Sequence, residues 1–176
     1  MKVSLWLFCF VLISRISFAQ YHPVETGSSV QFVIKNFGFN VGGSFSGIQG
    51  EIRFNPDSLS VARFEVSVNA ASINTDNNLR DGHLREDAYL DVKNHPRIRF
   101  VSESIRAVKK KGEYEMSGRL TIKSKTKLIS FPFTATPSGK GYLFAGSFKI
   151  DRRDFEVGGS STISDNLTVN LKVLAN

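Results

Sequence analysis

The chain carries, at residues 75–100, the sequence TDNNLRDGHLREDAYLDVKNHPRIRF. This segment interrupts a sequence in which apolar and polar residues otherwise alternate at a period of two. Within it Leu79, His83 and Leu84 have helical spacing, and Tyr89 and Leu90 precede a turn that ends at Pro96. The segment therefore predicts a short helical insertion, over about residues 75–91, in a chain made mainly of strands.

The flanking sequence predicts an all-β fold. Apolar residues alternate with polar ones in about eight runs, and turn residues such as Asn55-Pro56-Asp57 separate them. The first run is expected to reach a turn at Gly42-Gly43, and Pro132 predicts an edge or a bulge in its strand. The runs are residues 30–41, 50–54, 62–70, 98–103, 114–123, 127–134, 142–150 and 167–173. This spacing favours an antiparallel barrel of about eight strands, and the helical insertion is expected to cover part of the mouth of the barrel. We expect one domain over residues 20–176.

The apolar faces of these strands are rich in Phe. Twelve of the fifteen Phe lie after residue 19, and most fall on the apolar side of a strand. Glycines such as Gly118 and Gly146 share those faces. Two interpretations stay open: aromatic walls around a wide interior, or rings that pack against one another and fill it.

Residues 1–19 read MKVSLWLFCFVLISRISFA and have the pattern of a signal peptide cleaved after Ala19. We therefore expect a periplasmic or secreted protein. Cleavage removes Cys9, the one cysteine, so neither a disulfide nor a thiolate site is expected. It also removes Lys2 and Arg15, which lowers the formal net charge from +7 to +5. The remaining basic residues are scattered, so we expect no nucleic-acid partner, and at most a weak, transient contact with a membrane surface.

The sequence predicts a protein that is not an enzyme and that uses no cofactor or metal. His22, His83 and His95 are too far apart in sequence for a short-range metal-ligand motif. The acidic residues near the insertion are interpreted as capping groups and surface ion pairs. These acids are Asp76, Asp81, Glu86, Asp87 and Asp91.

Several stretches resemble one known family. The central one comprises residues 80–84 (RDGHL), 88–92 (AYLDV) and 95–102 (HPRIRFVS), and it is similar to the signature of the YceI family. Weaker agreement follows at residues 29–35 (SVQFVIK), 118–122 (GRLTI) with 126–127 (TK), and 153–155 (RDF). The resemblance implies an exported lipocalin-like antiparallel barrel that encloses a long apolar molecule, typically a polyisoprenoid or a prenyl quinone and in some members a fatty-acid-like amphiphile. It implies no catalytic residue. The chain departs from the family pattern at Gly27-Ser28, Asn36, Ser124 and Glu156.

Alternation and resemblance together predict the residues that line the cavity. The predicted wall residues are Phe32, Ile34, Phe39, Phe64, Val66, Phe100, Met116, Leu120, Phe131, Phe144 and Phe148. The insertion is expected to contact the ligand or seal the entrance through Leu79, Leu84, Tyr89 and Leu90. Asn36 and Arg80 are candidates for contact with a polar head group.

Three further possibilities stay open. A lipid hydrolase or isomerase would use the same cavity with His83 or Asp81, and an interaction module would have a filled core. A homodimer through edge strands is also compatible with the sequence.

Overall fold

A computed structural model describes residues 20–159 and 162–176. The predicted signal peptide, residues 1–19, lies outside the described residues. Within the described part the chain forms ten strands and one α-helix, α1, with three short 3-10 helices. In chain order the elements are β1 (Gln20–Tyr21), β2 (Pro23–Asn36), β3 (Phe39–Phe45), β4 (Gln49–Arg53), a 3-10 helix (Leu59–Val61), β5 (Arg63–Asn69), a 3-10 helix (Ala70–Ser72), α1 (Asn78–Leu84), β6 (Arg97–Ala107), β7 (Glu113–Ile122), β8 (Lys125–Ser138), β9 (Gly141–Asp151), a 3-10 helix (Arg152–Phe155) and β10 (Ile163–Ala175).

All ten strands belong to one antiparallel sheet, which closes on itself. From β4 to β10 each strand pairs with the next in chain order, β10 pairs with β2, and β2 pairs with β3. Only His22 separates β1, which pairs with β4, from β2, which pairs with β10. β1 and β2 together form one interrupted strand of the barrel, and β3 and β4 form another. The ten strands therefore make a barrel with eight strand positions. The predicted all-β, lipocalin-like antiparallel barrel with a helical insertion is confirmed.

The side chain of Glu25 supports the barrel where β1–β2 and β3–β4 are interrupted. Its two carboxylate oxygens accept hydrogen bonds from the backbone N–H groups of Gly47 and Ile48, at 3.0 and 2.9 Å. Those two N–H groups lie between β3 and β4. A carboxylate therefore satisfies the backbone at the break in the sheet.

The backbone pairing between β8 and β9 ends at the position of Pro132. Pairing between the two strands runs from Ser138↔Gly141 to Phe133↔Gly146 and stops there. Pro132 lacks an N–H group and so cannot donate the next ladder hydrogen bond. The 3-10 helix that follows β9 packs against both β8 and β9, and it places Phe155, which is 1% exposed, in the core. The predicted irregularity at Pro132 is therefore present as the point where pairing ends.

The insertion is helical over a shorter range than predicted. Only Asn78–Leu84 form an α-helix among these residues, and residues 85–96 are turns and irregular backbone. The side chain of Asn77 caps the helix, because its Oδ1 accepts a hydrogen bond from the N–H of Arg80 at 3.0 Å. No helix in the described part is both long enough and apolar enough to cross a membrane.

The interior of the barrel has two different halves. The half away from the insertion, here called the sealed half, is filled by an aromatic cluster around Phe54, the residue that follows β4. The ring of Phe54 lies 5.2 Å from those of Tyr114 and Tyr142 and 5.3 Å from that of Phe144, measured between centroids. The other half, the cavity half, is lined by a second apolar cluster that includes Leu90 and Phe155.

Candidate functional site

An almost entirely apolar cavity of about 250 Å³ lies in the cavity half, under the insertion. This volume is close to the range of about 300–1,000 Å³ that is typical of small-molecule pockets. The cavity is bounded by strands β2, β3 and β5–β10, and by side chains of the insertion. Its rim, as we call it, consists of three segments: the β2–β3 hairpin tip (residues 36–41), the insertion (residues 75–90), and residues 157–159 with 162–163 before and at the start of β10.

Ten of the predicted wall and entrance residues line this cavity. They come together because strand side chains alternate between the two faces of the sheet, so residues of the same parity face the interior. Contact of these side chains with a ligand stays a prediction. The ten are Phe32, Ile34, Val66, Leu84, Tyr89, Leu90, Phe100, Leu120, Phe131 and Phe148.

Three predicted wall residues lie in the sealed half instead. Phe64, Met116 and Phe144 face the interior as expected, but they are packed in the cluster around Phe54 and are at most 5% exposed. The prediction that they line the cavity is therefore wrong. Alternation identifies the inward face of a strand, but it does not show at which height the chain fills the interior.

Two further predictions fail because the side chains lie outside the barrel. Phe39 is 77% exposed, since the hairpin turn lies at Phe37-Gly38 and not at the predicted Gly42-Gly43. Gly42 and Gly43 lie inside β3, where the ring of Phe32 leaves no room for a Cβ on Gly43. Phe39 therefore stands at the hairpin tip, beyond the wall of the cavity.

Leu79 is also exposed, to 74%. It is five residues from Leu84, and five residues in an α-helix correspond to a rotation of about 140°. The two leucines therefore cannot share a helix face, and Leu84 is the one that reaches the cavity. Leu79 shares its face with His83, which is exposed as well.

Most aliphatic residues of the cavity wall lie outside the set predicted from the sequence. Within each strand these residues have a single parity, which is that of the inward face, so the alternation itself could have identified them. Selection by aromatic character missed them. They include Val30, Val41, Val68, Ile98, Ile122, Ile150, Leu167, Val169, Leu171 and Val173.

A buried polar network anchors the insertion at the rim. Asp81 is 3% exposed, and its Oδ1 accepts hydrogen bonds from the Oγ1 of Thr75 at 2.5 Å and the N–H of Thr75 at 3.0 Å. Arg80 donates from Nε to the Oγ1 of Thr75, at 2.7 Å, and from Nη2 to the Thr75 carbonyl oxygen, at 2.6 Å. These bonds fix the guanidinium of Arg80 at the cavity. In the part of the chain that the structure describes, Arg80 forms no ion pair with a carboxylate.

Asn36, the second predicted head-group residue, also lines the cavity. Its Oδ1 accepts a hydrogen bond from the Oγ1 of Thr162 at 3.0 Å, and the carbonyl oxygen of Thr162 accepts one from the N–H of Phe37. Asn36 therefore joins the hairpin tip to the segment before β10.

Arg152 holds the last segment of the rim and was not identified from the sequence. It is 7% exposed, and its guanidinium donates to the carbonyl oxygens of Val157 at 2.8 Å and Ser164 at 3.1 Å, and to Oδ1 of Asp165 at 2.8 Å. The N–H of Gly158 donates to the carbonyl oxygen of Ala88 at 2.8 Å, which ties this segment to the insertion. No sequence signal separates Arg152 from its exposed neighbour Arg153.

An ion pair lies on the outer side of this segment. The Lys125 ammonium is 2.8 Å from Oε1 of Glu156, and this hydrogen bond holds the pKa of the Glu156 carboxyl below its usual value. Glu156 has a φ of 55°, in the left-handed region that favours glycine.

The polar groups near the cavity are engaged within the protein. Across residues 20–159 and 162–176, no buried side-chain nitrogen or oxygen lacks a hydrogen-bond partner. In the same residues no three His, Cys, Asp or Glu side chains lie close enough together to hold a metal ion. The absence of a metal or cofactor stays a prediction.

The fold and the cavity define a class of protein: a lipocalin-like antiparallel β-barrel that encloses an apolar cavity beneath a helical insertion. The sequence model of a protein family, described as the YceI-like domain, matches residues 21–175 of this chain. The chain belongs to this family.

Relatives and solved structures agree with this assignment. The chain is 32% identical over 145 residues to a UPF0312 protein of Pectobacterium carotovorum, which covers 81% of this chain and 71% of the relative. The crystal structure of the Campylobacter jejuni YCEI protein is 28% identical, with a TM-score of 0.69, and the match covers 78% of this chain and 85% of that one.

Two more distant structures share the fold. Burkholderia cenocepacia BcnA has a TM-score of 0.78 at 24% identity, covering 83% of this chain and 94% of BcnA. A domain of Saccharophagus degradans described as polyisoprenoid-binding has a TM-score of 0.73 at 13% identity, covering 91% of this chain and 99% of that domain.

Proposed function

We propose that this protein is an exported carrier that holds one elongated apolar lipid in the barrel and shields it from water. The cargo class is a polyisoprenoid or a prenyl-quinone-like molecule, or a fatty-acid-like amphiphile. The observation that carries the proposal is the apolar cavity of about 250 Å³ between the filled sealed half and the rim. The role is binding, without catalysis and without a cofactor.

The free energy for such binding would come from apolar burial. A lipid chain and the cavity wall that together bury about 500 Å² of apolar surface gain roughly 12 kcal/mol at about 25 cal/mol per Å². Immobilising the lipid costs several kcal/mol of that gain. A net affinity in the micromolar range is therefore reachable without strong polar contacts.

The description of the Saccharophagus domain as polyisoprenoid-binding supports a prenyl lipid as cargo, since that domain has the same fold. The wall supports it too. Its mixture of aromatic and branched aliphatic side chains offers contact along a long hydrocarbon, but few hydrogen bonds that would select one short polar ligand.

The polar end of the cargo would lie at the rim, near Arg80 and Asn36. Both residues line the cavity, and Thr75 holds Arg80 by two hydrogen bonds. A guanidinium without a carboxylate partner favours an anionic or carbonyl-bearing head group over a bare hydrocarbon end.

The proposal includes export, with residues 1–19 removed as a signal peptide and the mature chain in the periplasm or outside the cell. The apolar run of residues 3–13, followed by Ser17-Phe18-Ala19, supports this.

Neither alternative function gains a specific observation. A lipid hydrolase that used Asp81 or His83 would need one of them free and aimed into the cavity. The carboxylate of Asp81 is engaged by Thr75, and His83 lies on the exposed face of α1. An interaction module with a fully filled core does not account for the cavity half.

The test is lipid retention by a chain whose cavity is filled. Val169 lines the cavity, opposite Phe32 and Phe148 in the sheet register, so Val169→Trp places an indole in the cavity. Val101, next to the lining residue Phe100 but on the other face of β6, provides the matched control Val101→Trp. Each exported chain is purified without detergent and extracted with organic solvent, and the extract is analysed by mass spectrometry.

We expect stoichiometric prenyl or acyl lipid in the wild-type chain and in Val101→Trp, and a loss of most of it in Val169→Trp. Extracts without lipid from a folded wild-type chain, before and after incubation with prenyl quinones and fatty acids, would refute the proposal.

A further inference from the structure

The rim carries the most exposed apolar side chains of the described residues. Phe37, Phe39 and Leu79 are 73%, 77% and 74% exposed. The first two lie on the β2–β3 hairpin tip, and Leu79 lies on the outer face of α1. All three therefore stand at the end of the barrel where the cavity-lining residues Asn36, Val41 and Arg80 lie.

The backbone at the hairpin tip is unfavourable for the residue it carries. Phe37 has a φ of 49° and Gly38 a φ of 83°. Two-residue turns of this kind favour Asn-Gly, since a bulky side chain at positive φ is strained. The backbone of Phe37 is thus strained, and its ring remains exposed to solvent in the described part of the chain. This cost indicates a use outside the folded monomer.

We propose that Phe37, Phe39 and Leu79 form a docking surface that inserts into the surface of a lipid bilayer and brings the cavity into contact with it. This inference rests on the proposed function, because a carrier must take up its cargo from a membrane and return it there. Side chains that insert beside the cavity let an apolar molecule pass from bilayer to barrel without crossing water.

The geometry favours a bilayer over a protein as the partner. The three side chains project from the hairpin tip and a seven-residue helix, and they do not form the broad surface of about 800 Å² per partner that a stable protein interface needs. Rings on a narrow tip suit shallow insertion at the boundary of head groups and acyl chains.

Charge plays a minor part in this surface. Lys35 lies beside the tip, is exposed and makes no ion pair within the described residues, but the acidic Asp76 lies at the same end and is exposed as well. Binding should therefore depend mainly on apolar insertion. It should occur on neutral vesicles and change little with salt.

The test is vesicle flotation of the chain from Gln20 onward, with phosphatidylcholine vesicles and with mixed phosphatidylethanolamine and phosphatidylglycerol vesicles. The variant is Phe37→Asn with Phe39→Thr, because Asn tolerates positive φ and Thr suits a strand. The control is Val61→Ser with Val108→Ser. These residues are 44% and 40% exposed and lie in connections at the opposite end of the barrel.

We expect the wild-type chain and the control to float with both kinds of vesicle. Each ring should contribute about tenfold to the partition coefficient, so the rim variant should bind about 100-fold more weakly. Lipid uptake from vesicles should slow to a similar extent, while uptake from ethanol dilution stays unchanged.

Two results would overturn the docking surface: a wild-type chain that takes up lipid from solution yet binds neither vesicle, or a rim variant that binds vesicles as well as the control does. A chain that binds vesicles through the rim but retains no lipid from any source would overturn the proposed function and support the docking surface.

Discussion

Phe144 and Phe148 both face the interior of the barrel from β9, four residues apart, but they border different halves. The ring of Phe144 is buried in the sealed half. Its centroid lies 5.0 Å from that of Phe64, 5.3 Å from Phe54 and 5.7 Å from Tyr142. Phe148 lines the cavity, and its described ring contact is with Phe131 at 4.7 Å.

Truncation to alanine should therefore cost different amounts of stability at the two positions. In a filled core Phe→Ala costs about 3–5 kcal/mol, and Phe144 has several ring partners, each worth about 0.5–1.5 kcal/mol beyond its buried area. We expect Phe144→Ala to cost about 4 kcal/mol. Phe148→Ala enlarges a space that is already present and should cost about 2 kcal/mol, close to the transfer free energy of the ring alone.

The assay is urea unfolding of lipid-free chains followed by circular dichroism, with the lipid content of separately purified samples measured by mass spectrometry. At an m-value of about 2 kcal/mol per M, the two variants should differ in midpoint by about 1 M. Phe148→Ala should change the lipid retained, and Phe144→Ala should retain the wild-type lipid wherever it is folded. Leu128→Ala, at a 60% exposed position, is the control and should change stability by less than about 0.5 kcal/mol.

Equal losses of stability at the two positions would refute the division into a filled half and a cavity half. So would a folded Phe144→Ala chain that had lost its lipid while Phe148→Ala kept it.

Three further predictions concern the rim. Arg80→Met should weaken the binding of a fatty acid about tenfold and leave the binding of a neutral prenyl alcohol unchanged, since it removes the guanidinium but keeps an apolar stem. Competitive displacement of a bound probe measures the affinity for each ligand. Asp81→Asn should lower the free energy of unfolding by about 1–3 kcal/mol in thermal denaturation, because its carboxylate accepts hydrogen bonds from the N–H and Oγ1 of Thr75; an unchanged melting temperature would contradict this. Lys125 lowers the pKa of Glu156, so the stabilisation from this pair should be present at neutral pH and be lost as the pH falls through that lowered pKa. The melting temperatures of the wild type and of Glu156→Gln should therefore differ by a constant amount from pH about 8 to about 5. In more acidic solution the two melting temperatures should converge.

The barrel was predictable because the sequence features that specify its strands and turns are local. Strand alternation, as in residues 62–70, and turn residues such as Asn55-Pro56 specify which face of each strand is buried. The helical insertion was predictable too, since it departs from that period. The extent of the helix was not predictable. α1 ends at Leu84, whose side chain lines the cavity, and tertiary contacts set that limit.

The division of the interior was not predictable from single strands. Phe144 and Phe148 have the same type and parity, and they differ only in what stands across the barrel. Phe54, which fills the sealed half, lies after its strand in a connection whose path depends on distant contacts.

The hairpin tip was misplaced for a related reason. Glycine pairs predict turns, and Gly42-Gly43 is the stronger local signal. The turn lies instead at Phe37-Gly38, because Gly43 is needed inside β3, where it makes room for the ring of Phe32. A close approach between two strands thus overrides the local preference, and it leaves Phe39 exposed at the rim.

The most direct test of the carrier account is native mass spectrometry of the wild-type chain, expressed with residues 1–19 and purified without detergent. The account predicts a main species heavier than the chain from Gln20 onward by the mass of one prenyl or acyl lipid, released on collisional activation. A folded chain observed only at its bare mass, and still bare after incubation with prenyl quinones and fatty acids, would contradict it.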